Sequence, residues 1–228
     1  MTRLQFDSFY KGLECTVLFV IDNTIPKSEY CTIDLSESNP DLADLDLTSA
    51  VEVENYIDSY LAKRNATIAF GGYLEKRNIY KRSTYFNSQL DSKDERNIHI
   101  GIDVWCKTGT QVITPFEGVI HSFENNTNHG DYGPTIILKH TFGELSFHTL
   151  YGHLSIESLE SLVVGESVNQ GQVIAQIGDS AVNGDYAPHL HFQVILDIQD
   201  FKGDYPGVCS ENTLSFYSDN CPELPIGN

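Results

Sequence analysis

The chain has 228 residues and carries 14 Lys+Arg against 32 Asp+Glu, a formal net charge of −18. That length is enough for one large or two small domains with a buried core, and 40% hydrophobic residues with 12 Tyr and 12 Phe make a globular composition, not a disordered acidic one. So acidic a surface repels nucleic acid and anionic membrane, which excludes both as expected partners. Residues 1–100 hold 16 acids and 11 bases, whereas residues 101–228 hold 16 acids and only Lys107, Lys139 and Lys202. The net charges of these two parts, −5 and −13, sum to the total, and the second part suits a bound cation.

Along the chain, Asp7 and Glu14 interrupt any basic leader. The apolar run Thr16–Ile21 is too short to span a bilayer and precedes no small-residue cleavage pattern. It reads as a buried strand, with no membrane insertion, and the lack of a leader points to the cytoplasm. Residues 34–46, rich in Asp, Ser, Asn and Pro, read as an exposed loop. Between 48 and 64, Val51, Tyr56, Ile57, Tyr60 and Leu61 fall near helical spacing, Thr48 or Ser49 can cap, and Lys63 and Arg64 close the segment. This is the one helix the pattern predicts. A Gly71-Gly72 break leads into Tyr73–Tyr85, where Lys76, Arg77, Lys81 and Arg82 cluster. The cluster reads as a solvated strand face or a patch docking onto the acidic half, rather than as a phosphate site.

From Asn97 onward, short apolar stretches alternate with Gly, Pro, Asn and Asp. Stretches 111–116, 118–123, 135–139, 147–151, 173–177 and 190–196 are strand-like, and Gly165 and Gly171 supply turns, which together predict an antiparallel all-β domain. After Asp197 the periodicity is lost in a tail containing Cys and Pro. The cysteines at 15, 31, 106, 209 and 221 are odd in number and form no Cys-x-x-Cys pair, so a thiolate metal site has little support. Free thiols in a reducing compartment are the preferred reading, with a Cys209–Cys221 disulfide as the alternative in an exported chain.

Three stretches concentrate metal-ligand types. In His99-Ile-Gly-Ile-Asp103, an ideal strand would hold the two ligand candidates about 13 Å apart, so sharing one ion requires a bend, which Gly101 permits. In Pro188-His189-Leu-His191-Phe192 the imidazoles share one strand face about 6–7 Å apart, while Leu190 and Phe192 point to the opposite face. Leu150-Tyr-Gly-His153-Leu gains weight only from the other two. His121, His129, His140 and His148 read as structural or exposed, with His148 the least settled of the four.

These stretches, with Gly109-Thr-Gln-Val-Ile-Thr-Pro-Phe-Glu-Gly118 and the Gly165, Gly171 and Gly178 turns, stand in the order and approximate spacing of one family. From Ile98 to Val194 the chain resembles the lysostaphin-like (LytM-type) zinc metallopeptidases, and it lacks the HExxH signature of helix-borne zinc proteases. The resemblance implies a mainly β fold: an antiparallel lysostaphin-type core at 91–200, beside a smaller α+β N-terminal region at 1–90 and a tail at 201–228. It implies one zinc ion per chain held by His99, Asp103 and His191, with His153 and His189 as catalytic, non-ligand histidines. Three protein ligands leave a fourth position open, as catalytic zinc sites do. One of His153 and His189 would take a proton from water, and the pair would stabilise the oxyanion and protonate the leaving amine. Tyr151 and Tyr186 are further candidates for oxyanion or substrate contact.

The activity so implied is zinc-dependent endopeptidase cleavage of a peptide, in peptidoglycan or in Gly-containing sequences. The acidic surface fits a neutral or cationic peptide better than an anionic wall polymer. The alternatives are a non-catalytic zinc-containing binding module on the same fold and, more weakly, a carrier or phosphotransfer domain, for which no Lys stands at a hairpin tip. The sequence sets no oligomeric state.

Overall fold

The computed structural model describes residues 1–13, 18–83, 86 and 91–226. In chain order the elements are α1 (Arg3–Lys11), β1 (Tyr30–Thr32), α2 (Ala50–Arg64), β2 (Ile68–Gly71), β3 (Ile98–His99), β4 (Ile102–Trp105), β5 (Gln111–Ile113), β6 (Gly118–Asn126) and β7 (Gly133–Phe142). They continue with β8 (Leu145–Gly152), β9 (Ser167–Val168), β10 (Val173–Gln176), β11 (His189–Ile195), β12 (Val208–Cys209) and α3 (Leu214–Asn220). The six strand-like stretches of the sequence thus become β5, β6, β7, β8, β10 and β11.

Among the described residues, eight strands form one sheet in the order β1-β2-β4-β11-β8-β7-β6-β9. Within it β1 and β2 run parallel, and the other neighbours pair antiparallel. The chain is therefore mainly β with an antiparallel core, and the N-terminal region extends the same sheet through β1 and β2. Alternation on β11 divides its side chains. Leu190, Phe192 and Val194 enter the large core with Val104, Tyr151, Ile136 and Leu138, which leaves His189, His191 and Gln193 on the opposite face. Burying each such apolar side chain contributes about 1.5–3 kcal/mol, so the register that aims the histidines is set by packing on the other side.

Helix α2 forms where the spacing predicts it. The Ser49 hydroxyl accepts from the Glu52 N–H at its start, and Asn65 ends it in the left-handed region at φ 51°. Val53, Ile57 and Leu61 pack against Ala69, Trp105 and Ala187. Helix α1 was outside the sequence expectation, although Thr2 and Gln5 form a reciprocal capping box there. Its Phe6 meets Phe147 edge-on at 5.3 Å.

Two readings change. In the Thr16–Ile21 run, Thr16 and Val17, like Cys15 and Tyr85, lie outside the described residues. Leu18, Val20 and Ile21 are buried, but Ile21 makes only an isolated bridge to Val112, so this part is core without being a strand. The stretch after Asp197 is more than a tail: β12 pairs with β3, placing Val208 opposite His99, and α3 follows. Cys31, Cys106, Cys209 and Cys221 are free.

Candidate metal centre

The bend expected at Gly101 separates β3 from β4 and brings His99 and Asp103 together. A Cβ at residue 101 would stand 2.6 Å from the His191 ring, so only glycine lets the bend and the imidazole occupy the same space. His191 lies opposite Asp103 across the β11–β4 ladder. His99 Nε2 and His191 Nδ1 approach to 2.8 Å, and each is 3.2 Å from Asp103 Oδ1. All three residues are buried. They are the group among the described residues whose ligand atoms could hold a metal.

The donor set fits zinc. Tetrahedral bonds of about 2.0–2.1 Å separate ligand atoms by about 3.3 Å, close to the spacing here. The hydrogen bonds also fix the tautomers. His99 Nδ1 lies 2.9 Å from the Gly72 carbonyl oxygen, which can only accept, so Nδ1 carries the proton and Nε2 presents a lone pair. His191 Nε2 donates to Gln193 Oε1 at 2.9 Å, a role set by the Gln193 amide nitrogen, which donates to the Pro206 carbonyl. His191 Nδ1 is then also a lone pair. Two lone pairs and a carboxylate oxygen facing one another repel unless a cation lies between them.

The basic cluster of the sequence proves to be part of this centre. Arg77 is buried, with one terminal nitrogen donating to Asp103 Oδ2 at 2.5 Å and Nε donating to Glu75 Oε2 at 2.5 Å. Burial alone would raise the Asp103 pKa, but His99, the Arg77 guanidinium and His189 hold it well below the usual carboxylate range. Burial raises the Glu75 pKa despite Arg77. Gly72, at φ +97°, leaves room that a Cβ would take from the Arg77 guanidinium, and the Glu75 carbonyl accepts from the His99 backbone N–H. Arg82 docks too, onto the Gly184 and Asp185 carbonyls and over the Tyr186 ring. The solvated-face alternative is thus overturned for both arginines, while Lys76 reaches Glu37 and Glu211 half-exposed. No spacing in the sequence singles out Arg77. Gln193 had a signal, since it continues the 189, 191 alternation.

Across from the three donors stand His153 and His189, with ring centroids 4.2 Å apart. His153 Nδ1 donates to the Asn183 carbonyl and His189 Nδ1 to the Ala187 carbonyl, both at 2.8 Å, so both Nε2 atoms are free to accept. His189 Nε2 is 3.7 Å from Asp103 Oδ1. Burial pushes the His189 pKa down to about 4 and holds that of His153 well below its ordinary value. His153 lies at φ 64°, in left-handed backbone that a β-carbon disfavours. Trp105 stacks on His189 at 4.1 Å.

Tyr186 lines the same cavity, but its hydroxyl donates to the Gly130 carbonyl. Tyr151 does not reach the site. Alternation on β8 sends it into the large core, where its hydroxyl bonds with Thr114 and Thr149. Tyr132, which the sequence did not suggest, brings its hydroxyl to 3.3 Å from His191 Nε2. His140 is structural, buried between the Glu117 carbonyl and the Thr149 hydroxyl. His148 is buried against the His121 ring, and His129 is exposed. The five candidate residues open onto a cavity of about 270 Å³.

The model of Peptidase family M23 matches residues 97–202, a span that contains all five. A comparison with curated proteins finds no match. Among solved structures, the catalytic domain of the antimicrobial peptidase lysostaphin from Staphylococcus simulans is 26% identical over 54% of this chain and 81% of that one, with a TM-score of 0.37. A mutant catalytic domain of the prophage-encoded M23 protein EnpA from Enterococcus faecalis is 19% identical over 51% of this chain and 78% of that one, at 0.37. A zinc containing peptidase from Vibrio cholerae is 23% identical over 49% and 34%, at 0.35.

Proposed function

We propose that this chain, whose residues 97–202 belong to peptidase family M23, is a zinc-dependent metalloendopeptidase. The observation that carries the reading is the convergence of His99 Nε2, His191 Nδ1 and Asp103 Oδ1, with both imidazole tautomers fixed so that lone pairs face inward. Zinc, when held there, supplies Lewis acidity toward water and the scissile carbonyl. The chain's own groups do the rest. His153 and His189 stay neutral because burial depresses both, so one Nε2 can take a proton from the attacking water. Protonated, the same pair can stabilise the oxyanion and pass the proton to the leaving amine. Their Nδ1–H bonds to carbonyls keep the rings oriented as charge develops.

The substrate in this reading is a peptide, within peptidoglycan or free, with neutral or cationic peptides favoured by the net charge of −18. Two measurements test it. Purified protein should contain about one zinc per chain, which His191→Ala removes; full retention in the variant would reject the ligand set. Wild type should cut purified peptidoglycan fragments or members of a Gly-rich peptide library, while zinc-loaded His189→Ala is slower by about 10²–10⁴-fold. Equal rates in the two proteins would reject the role of His189.

A further inference from the structure

The cavity over the candidate metal centre is lined in part by residues outside the matched segment 97–202, among them an apolar wall. Leu35, Leu45, Leu47, Val53 and Tyr56 line it from the N-terminal region, on the same cavity as His153, His189 and His191. Trp105 joins this wall to the histidines, packing with Val53 and Ala187 while stacking on the His189 ring. Leu35, Leu45, Leu47 and Tyr56 are only partly buried by their neighbours, so apolar surface remains for a ligand to cover.

The wall is fixed rather than draped. Val53 belongs to the buried face of α2. The turn before that helix is held by Leu45 N–H to the Leu42 carbonyl and Ser49 N–H to the Asp46 carbonyl. Asp46 Oδ1 accepts from both the backbone and the hydroxyl of Thr48, and Glu52 accepts from the Asp46 N–H. Of the charged residues on the cavity, Arg77 is occupied by Asp103 and Glu75, and Arg96, Asp131 and Asp204 also line it. A glycine beside the scissile bond has no side chain to set against such a surface, whereas a leucine or phenylalanine would bury apolar area on it.

We infer that this wall is a side-chain subsite beside His189 that takes a bulky aliphatic or aromatic residue flanking the scissile bond of a neutral peptide. The inference rests on the peptidase reading and sharpens its substrate. A single methylene in an apolar pocket changes kcat/KM by about 10–200-fold, so a whole side chain should discriminate by at least the lower figure.

The test uses the zinc-loaded full chain and peptides identical except for Gly, Ala, Leu or Phe on either side of one bond. Leu or Phe peptides should exceed the Gly peptide at least tenfold in kcat/KM, and Leu45→Asp should cut that ratio at least tenfold. Leu47→Ala, a milder change, should lower it in the same direction should Leu45→Asp fail to fold. Calorimetry of the uncut peptides with His189→Ala should give the same order of affinity. Gly peptides cut as well as Leu peptides would overturn the subsite and leave the peptidase standing. Tighter binding of Leu peptides with no cleavage by wild type would keep the subsite and overturn the peptidase. No cleavage and equal affinities would overturn the subsite too.

Discussion

Replacing Arg77 with glutamine removes the guanidinium that pairs with Asp103. Arg77, Asp103 and Glu75 keep side-chain exposures of only 5%, 3% and 13%, so the two carboxylates would be left buried without that counter-charge. Breaking a buried ion pair by deleting one partner costs about 3–5 kcal/mol. Glu75 still accepts from the Leu35 N–H, which puts the expected loss at the lower end, about 3 kcal/mol. With zinc bound, the metal takes over compensation of Asp103. What is then lost is mainly charge-assisted hydrogen bonding, worth roughly 1.5–3 kcal/mol. Urea unfolding with chelator and with excess zinc measures both gaps between wild type and variant. The gap should be larger without the metal, and Arg77→Lys, which keeps the charge, should fall between the two proteins. Equal gaps in the two conditions would refute the claim that Arg77 and the metal compensate the same carboxylate.

Three other outcomes follow from single side chains. Burial depresses the His140 pKa from 6.5 to about 4, so between those values the unfolded chain binds a proton that the folded one does not. Stability should fall on acidification through that window by about 3 kcal/mol, and His140→Gln should flatten the dependence; an unchanged slope would count against it. Gly101→Ala forces a Cβ to within 2.6 Å of the His191 ring, so zinc affinity measured by competition with a chromophoric chelator should drop at least tenfold; wild-type affinity would show that the bend tolerates a side chain. Gln193→Leu strips the acceptor from His191 Nε2–H and should weaken zinc binding about 10–100-fold, a result that unchanged affinity would contradict.

Much of the centre was legible because its donors sit on strands, where alternation and register are simple. His189 and His191 share a face by their spacing, and Leu190 and Phe192 anchor the other face. The bend at Gly101 was legible because His99 and Asp103 could not otherwise meet. Tyr151 misled because alternation would put it on the face of His153, whereas β8 ends at Gly152 and His153 lies beyond it at φ 64°, so the two point apart. Arg77 was hidden for a different reason. Its role depends on a turn of irregular backbone at 72–77 reaching a strand some 26 positions later, and a guanidinium in a basic cluster has the same sequence signature whether it faces solvent or a buried carboxylate. Helix α1 was missed although Thr2 and Gln5 form a capping box and Phe6, Phe9 and Tyr10 fall at helical spacing, because its nine residues are fewer than the window over which helical periodicity stands out.

The division between the matched segment and the turn before it has a physical consequence. Strands within 97–202 fix where the donor atoms are, but whether those atoms are ready to bind depends on residues 72–77. Without the Gly72 carbonyl, the His99 proton could move to Nε2 and block the lone pair that faces Asp103. Without Arg77, Asp103 Oδ2 would lose the partner that distinguishes it from Oδ1. With both in place, the carboxylate has Oδ2 held by the guanidinium and Oδ1 turned toward the lone pairs of the two imidazoles. Its orientation is therefore set before any metal arrives, and the ordering entropy of a ligand side chain falls on folding rather than on binding.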